Sequence, residues 1–308
     1  MEPAGTEATR TSVWALVVFT GFVFGSGGLL SKSLIDGGVD PVTVTALPFL
    51  AGGLLAWLVA WRNGDLRMGA LGAGATLGVV SSALPALCFN LGFETLPAGL
   101  VTLIVSLSPV ITAVVASLVF ADERFNPKKG LGLVLAFAGV AALIAAPGVI
   151  EGTSYRGAAW ATTGALLAGT SAVLARWYAL GHGALALIAP QLTAAGFTSA
   201  VIGLLVGRSL VPDGGFAGGD IAIMIGIGLI ASYGGFRAIM LANERGTTGQ
   251  VAMVAYLIPL VGVVGGIIFF DETLTLWILV GAALIVAGIT VGGRASAPMA
   301  PPPSNSAL

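Results

Sequence analysis

Ten long stretches of this chain carry no ionised side chain, and nothing else in the sequence restricts the possible folds as much. They are Thr11–Ser31, Pro41–Trp61, Met68–Phe93, Thr95–Ala121, Gly130–Ile150, Gly157–Ala175, Gly183–Gly207, Ile221–Phe236, Gly246–Phe270 and Thr273–Gly293. A helix needs about 20 apolar residues to cross the hydrocarbon core of a bilayer, and most of these runs have that length. The eighth stops at Arg237, but Ala238–Ala242 continue its apolar pattern, which extends the expected helix to Asn243. None of the runs alternates polar and apolar residues as the strands of a membrane barrel do. Charged residues make up 9% of the 308 and hydrophobic ones 56%, whereas a soluble domain has about 25% charged. That leaves too little polar surface for a soluble fold. A cytosolic enzyme, a nucleic-acid binder and a disordered chain are all excluded. A single cysteine, Cys88, and a single histidine, His182, allow neither a disulfide framework nor a His/Cys metal cluster. No cofactor and no metal are expected. The fold class is therefore an all-α integral membrane protein with ten transmembrane helices, and the bilayer is its first partner.

Basic residues orient the spans. The N-terminus, the even-numbered loops and the C-terminus hold Arg10, Arg62, Arg67, Arg124, Lys128, Lys129, Arg176, Arg237, Arg245 and Arg294. The odd-numbered loops hold Lys32, Arg156 and Arg208. This bias places both termini in the cytoplasm of a cell whose inner membrane the chain spans. The first span is too long for the apolar region of a cleavable signal. The Pro-rich stretch 294–308 reads as a disordered cytoplasmic tail.

The chain also repeats itself. Glu94-Thr-Leu-Pro-Ala-Gly-Leu-Val101, Ser106-Leu-Ser-Pro109 and Phe120-Ala-Asp-Glu123 return as Glu244-Arg-Gly-Thr-Thr-Gly-Gln-Val251, Tyr256-Leu-Ile-Pro259 and Phe269-Phe-Asp-Glu272. Glu94/Glu244 and Pro109/Pro259 share an offset of 150, while Gly132/Gly281 and Gly139/Gly288 share 149. The organisation that follows is a tail (1–11), a five-helix repeat (12–150), an external linker (151–156) and a second five-helix repeat (157–293). With an odd number of spans in each, the two repeats are inverted relative to each other. Secondary transporters use this plan, with substrate bound near the midplane between the halves.

A mid-span proline, a loop with Asp-Glu and a helix with spaced glycines, present twice, resemble the EamA-type family of the drug/metabolite transporter superfamily. The resemblance runs over about residues 12–293 and implies a ten-helix transporter of small metabolites. The family includes exporters of amino acids, aromatic ones among them, while related branches carry drugs or nucleotide sugars. None of the motifs selects one branch.

The candidate substrate-binding residues are Ser82, Ser106, Pro109, Tyr233, Arg237, Tyr256 and Pro259; no catalytic residue is assigned. A mid-span proline frees a carbonyl that protein or a water-filled cavity must satisfy. Pro109 and Pro259, with Ser106 and Tyr256 three residues earlier, therefore either line a cavity or bend their helices while the hydroxyls bond their own backbone. Ser81, Ser82 and Pro85 occupy mid-span three, with Ser232 and Tyr233 in the matching part of span eight. Arg237 follows Tyr233 by one turn on the same face. Its guanidinium either pairs with a substrate carboxylate or snorkels to the cytoplasmic headgroups. Asn90 and Gln191 read as glue between helices. Trp14, Trp57, Trp61, Trp160, Trp177 and Trp277 read as interfacial anchors, and His182 as a loop residue. Asp122-Glu123 and Asp271-Glu272 read as caps on the helices that follow them. Gly21/Gly25 and Gly262/Gly266 read as packing sites inside one protomer, with a dimer as the alternative.

The expected function is export of small metabolites, foremost amino acids, by alternating access. Multidrug export is the alternative, followed by a nucleotide-sugar carrier, a channel and an intramembrane enzyme. A sugar-nucleotide cavity would need several cationic side chains, and an enzyme would need His or paired carboxylates inside the spans. No carboxylate lies at mid-depth, so gradient-following transport or exchange is expected, with Glu94 or Glu244 at the span ends as a proton carrier the alternative.

Overall fold

A computed structural model describes residues 4–119, 127–145, 154–212, 214–245, 251 and 253–293 of the chain. Asp122, Glu123, residues 151–153 of the linker and the tail 294–308 lie outside the described residues. Among the described residues the regular structure is all helical. In chain order the helices are α1 (Ala4–Asp36), α2 (Pro41–Asn63), α3 (Ala70–Phe93), α4 (Ala98–Val119) and α5 (Pro127–Ile144). They are followed by α6 (Ser154–His182), α7 (Ala184–Leu205) and α8 (Asp220–Gly226, running on through Ile227–Gly235 to Phe236–Arg245). Last come α9 (Val254–Phe270) and α10 (Leu276–Gly293). Seven of these, α1–α4 and α6–α8, hold apolar segments of 21 to 25 residues, long enough to cross a membrane. Helices α9 and α10 are shorter apolar helices.

Local chemistry sets several ends. Asp40 caps α2, its Oδ1 accepting from the Val42 amide at 2.8 Å, and Pro41 fills the first helical turn, where its missing N–H costs nothing. Gly64 closes the same helix at φ 71°. Three spans are not regular α-helices throughout. Helix α3 widens to a π segment at Gly78–Ala83 and α8 does so at Ile227–Gly235. Helix α4 is broken by a turn at Ser106 and Leu107, between segments Ala98–Val105 and Ser108–Val119.

Three pairs of corresponding helices pack against each other across the halves, and each of these pairs runs antiparallel. In α2·α7, Val42 meets Gly203, Leu50 meets Gly196 and Gly53 meets Thr193. In α4·α9, Gly99 meets Val263 and Thr102 meets Gly262. In α5·α10, Gly132 meets Gly288 and Gly139 meets Gly281. The remaining large contacts exchange as well: α1 packs on α8 and α9, and α6 packs on α3 and α4. Swapping the halves maps these contacts onto one another, whereas the packing of α4 on α5 and α10 has no equally extensive counterpart at α9. The glycines expected to pack inside the protomer do so, Gly21 against Leu257 and Gly25 against Val261. The largest core surrounds α4, whose Leu100, Val101, Ile104 and Leu107 are buried against α5, α6 and α10.

Candidate functional site

The two π segments start the same way. A Cβ on Gly78 would lie 2.4 Å from the Gln191 carbonyl of α7, and one on Gly228 would lie 2.5 Å from the Pro48 carbonyl of α2. Each π segment thus begins where a glycine lets it press on the proline-bearing second helix of the other half. Such insertions widen a helix and are frequent at functional sites. Ser82 lies in the first of them, buried, and its Oγ accepts from Gln191 Nε2 at 2.9 Å. Gln191 Oε1 is buried with no partner among the described residues. Asn90 Nδ2 donates to Thr45 Oγ1 at 2.8 Å, so both amides join helices, as their positions in the spans suggest.

Ala83, next to Ser82, packs with Phe49, Ile188 and Leu192 in a cluster that Trp57, Tyr233, Phe236 and Met240 close from the side. Tyr233 is half-buried there. Phe236 also meets Phe24 edge-on, with ring centroids 5.8 Å apart. Arg237 is half-buried one turn after Tyr233 and has no ion pair or hydrogen bond among the described residues. Trp57 belongs to this group rather than to the membrane interface. Its Nε1 donates to Thr193 Oγ1 across the halves at 2.9 Å, because the one polar atom of a buried indole must find a partner. The other tryptophans (Trp14, Trp61, Trp160, Trp177 and Trp277) are exposed, consistent with anchors.

Ser106, Tyr256 and Pro259 gather separately, at the α4·α9 crossing, while Pro109 lies on the Ser108–Val119 segment, which packs on α5, α6 and α10. Pro259 offers no N–H to the Ala255 carbonyl, and Ser106 Oγ of the other half lies 3.2 Å from that oxygen. The same hydroxyl lies 3.2 Å from Thr102 O in its own helix. Pro109 likewise frees the Val105 carbonyl, which Ser108 Oγ supplies at 2.7 Å. Tyr256 Oη is 3.0 Å from Thr290 Oγ1 of α10. The Thr290 hydroxyl donates to Val286 O, so Tyr256 is the donor. The seven candidates therefore do not form one site: Ser82 and Tyr233 adjoin one cluster among α2, α3, α7 and α8, with Arg237 one turn beyond Tyr233, while Ser106, Tyr256 and Pro259 meet at the α4·α9 crossing and Pro109 lies beyond it on α4.

Charged residues meet at the end that carries the odd-numbered loops. Arg208 Nη1 pairs with Glu94 Oε1 at 2.8 Å and Asp40 Oδ2 at 3.1 Å. The Glu94 hydrogen bond raises the guanidinium pKa further, against partial burial. Lys32 lies inside α1, bonded to Asp36 and to the Phe93 carbonyl. Sequence position gave no hint of these partners. His182 ends α6 instead of lying in a loop, with Nδ1 3.2 Å from Tyr178 O.

Glu272 caps a helix, but not the one that follows it. Its two carboxylate oxygens accept from the Ala98 and Gly99 amides at the start of α4, in the opposite half. A Cβ on Gly266 would lie 2.3 Å from the Glu272 carboxylate, so that glycine makes the room. Helix α10 takes its cap from Thr275, whose Oγ1 accepts from Ile278 N at 3.3 Å. Burial pushes the Glu272 carboxyl pKa up, while the two amides pull it down. Glu272→Ala leaves both amides unpaired, and thermal unfolding in detergent should show a loss of about 0.5–2 kcal/mol. A melting temperature equal to wild type would show that this cap contributes nothing.

The EamA-like transporter family model matches this chain twice, over residues 12–145 and 155–292. A Bacillus subtilis protein named "Uncharacterized transporter YvbV" is 29% identical over 286 residues, covering 91% of this chain and 90% of its own. An Archaeoglobus fulgidus protein named "Uncharacterized transporter" is 24% identical over 259 residues, covering 82% of this chain and 88% of its own. A solved crystal structure superposes with a TM-score of 0.66 over 92% of this chain and 97% of its own, at 19% identity, a likeness of fold alone. Two family matches, one over each half of a chain whose described regular structure is all helical, with long apolar helices, lead to one assignment: the protein belongs to the EamA-like transporter family of membrane transporters.

Proposed function

We propose that the protein exports amino acids, aromatic ones foremost, across the inner membrane by alternating access between two inverted five-helix halves. The antiparallel pairing of α2 with α7, α4 with α9 and α5 with α10 supports the inversion. The excess of basic residues at the even-numbered loops supports ten crossings with both termini in the cytoplasm. One observation carries the substrate class. Arg237 is a half-buried cation without a partner among the described residues, one turn from Tyr233, which packs on the same cluster as Trp57 and Phe236. A guanidinium within an apolar span is costly unless something compensates it, and a substrate carboxylate can do so through two parallel hydrogen bonds. The neighbouring rings suit an aromatic side chain.

Liposomes containing the pure protein should take up labelled phenylalanine, tyrosine or tryptophan faster than empty liposomes. They should do so without an imposed ion gradient. If no amino acid in a full panel enters, the substrate class is wrong; if hydrophobic cations enter instead, the drug-exporter alternative is correct.

A further inference from the structure

At the end carrying the odd-numbered loops, the halves are joined by side chains far apart in sequence. Arg208 of the second half reaches Asp40 and Glu94 of the first. Asp40 caps α2 with its other oxygen, and Glu94 directly follows α3, so one guanidinium holds the ends of two helices. A rigid turn presents that guanidinium. Gly207 is left-handed at φ 75°, the Arg208 amide donates to Gly203 O at 2.9 Å, and the Gly207 amide donates to Leu204 O at 3.2 Å. These paired bonds form a Schellman motif, which closes α7 and fixes the direction in which Arg208 leaves it. Thr43 Oγ1 donates to Leu210 O at 3.0 Å, adding a second tie between halves beside the first. Directly beneath, Val42 is 3% exposed and seated on Gly203, where a Cβ would lie 2.4 Å from its side chain. Ion pairs cover an apolar seal.

The strength of these pairs suits a part that opens. Arg208, Asp40 and Glu94 keep 32%, 26% and 33% of their side-chain surface in contact with solvent. Pairs this exposed bias an equilibrium by only about two- to fivefold each. A fully desolvated pair would be hard to break on the microsecond-to-second timescale of lid opening. A static staple has no need of such weakness, whereas a gate does.

We propose that Arg208, through Asp40 and Glu94, is the latch of the outer gate: formed in this structure, broken when the halves part toward the outside. This rests on the alternating-access reading and on the orientation given with it. Arg208 acts as a positioning residue, since it holds α2 and α3 rather than substrate. Opening breaks both ion pairs and the Thr43 bond and lifts Val42 from Gly203.

The test reads the seal directly and needs no substrate, so failure of the amino-acid assignment leaves it valid. The full chain, with Cys88→Ser and Val42→Cys, is labelled in spheroplasts by a membrane-impermeant maleimide added outside. Cys88 is the chain's only cysteine, so position 42 is then the only target. Labelling should be slow with Arg208 in place and about threefold faster or more in Arg208→Gln, the size expected from two such pairs. Arg208→Lys, which keeps a cation facing both carboxylates, should hold labelling near the slow rate. If Arg208→Gln does not accumulate, Glu94→Gln removes one of the two pairs and should give a smaller increase in the same direction. Fast labelling of the starting chain, an unchanged rate in Arg208→Gln and Glu94→Gln, or labelling of Arg208→Lys as fast as that of Arg208→Gln would each overturn the latch. So would an increase seen only in inside-out vesicles, because the gate would then not face outward.

Discussion

Arg237→Ala is expected to abolish amino-acid transport while the protein still inserts, purifies and melts as wild type does. Because Arg237 has no partner among the described residues, its removal leaves no described carboxylate unpaired, and the cost falls on the substrate. Truncating one side of a desolvated, hydrogen-bonded charge pair costs about 2–5 kcal/mol, enough to put amino-acid uptake below detection at ordinary concentrations. Arg237→Lys keeps the charge but loses the planar fork, so it should retain weak transport with a raised KM. Wild-type uptake by both variants would mean that the guanidinium only reaches the headgroups. Tyr233→Ala is the companion measurement. Loss of a ring contact worth about 0.5–1.5 kcal/mol should weaken aromatic substrates more than aliphatic ones. Tyr256→Ala makes a poorer probe, because its hydroxyl serves Thr290 and its ring packs on the α4 core.

The other large effect is expected at α5·α10, where stability rather than transport is at stake. A methyl group on Gly139 would lie 2.7 Å from the Gly281 carbonyl and 2.7 Å from Ile285 Cγ1. One on Gly288 would lie 2.5 Å from the Gly132 carbonyl. Backbone oxygens on a packed helix cannot rotate away, so the helices must separate. Gly139→Ala and Gly288→Ala should each cost about 1–3 kcal/mol, the usual range for overpacking. Gly72→Ala is the control. It is also helical, but a Cβ there meets nothing within 4 Å, and alanine favours a helix over glycine by about 1 kcal/mol. Thermal unfolding in detergent should rank the three with Gly72→Ala at or above wild type. Equal melting temperatures would mean that α5 and α10 do not pack as closely as described.

Some features depend only on the order of residues along the chain. Length and absence of charge mark apolar helices because a bilayer core offers backbone groups no partner but each other. Those runs were legible, and so was the twofold pattern of Asp-Glu, proline and spaced glycine, because a repeat is a property of order alone. Pro109 and Pro259 announced freed carbonyls for the same reason: the missing N–H is local chemistry. What supplied those carbonyls depended on folding. Ser108 serves one from its own helix, while Ser106 reaches the other across the halves, a distinction that needs the α4·α9 crossing. Glu272 was recognisable as a helix cap, since a carboxylate favours any N-terminus. Which N-terminus it meets was set by the packing of α4 beside Gly266. Trp57 was misplaced because an indole near a span end reads the same whether lipid or Thr193 lies beside it. The Arg208 pairs span 168 and 114 residues, and Coulomb attraction depends on distance in space, not along the chain. Only the tertiary structure brings those charges together.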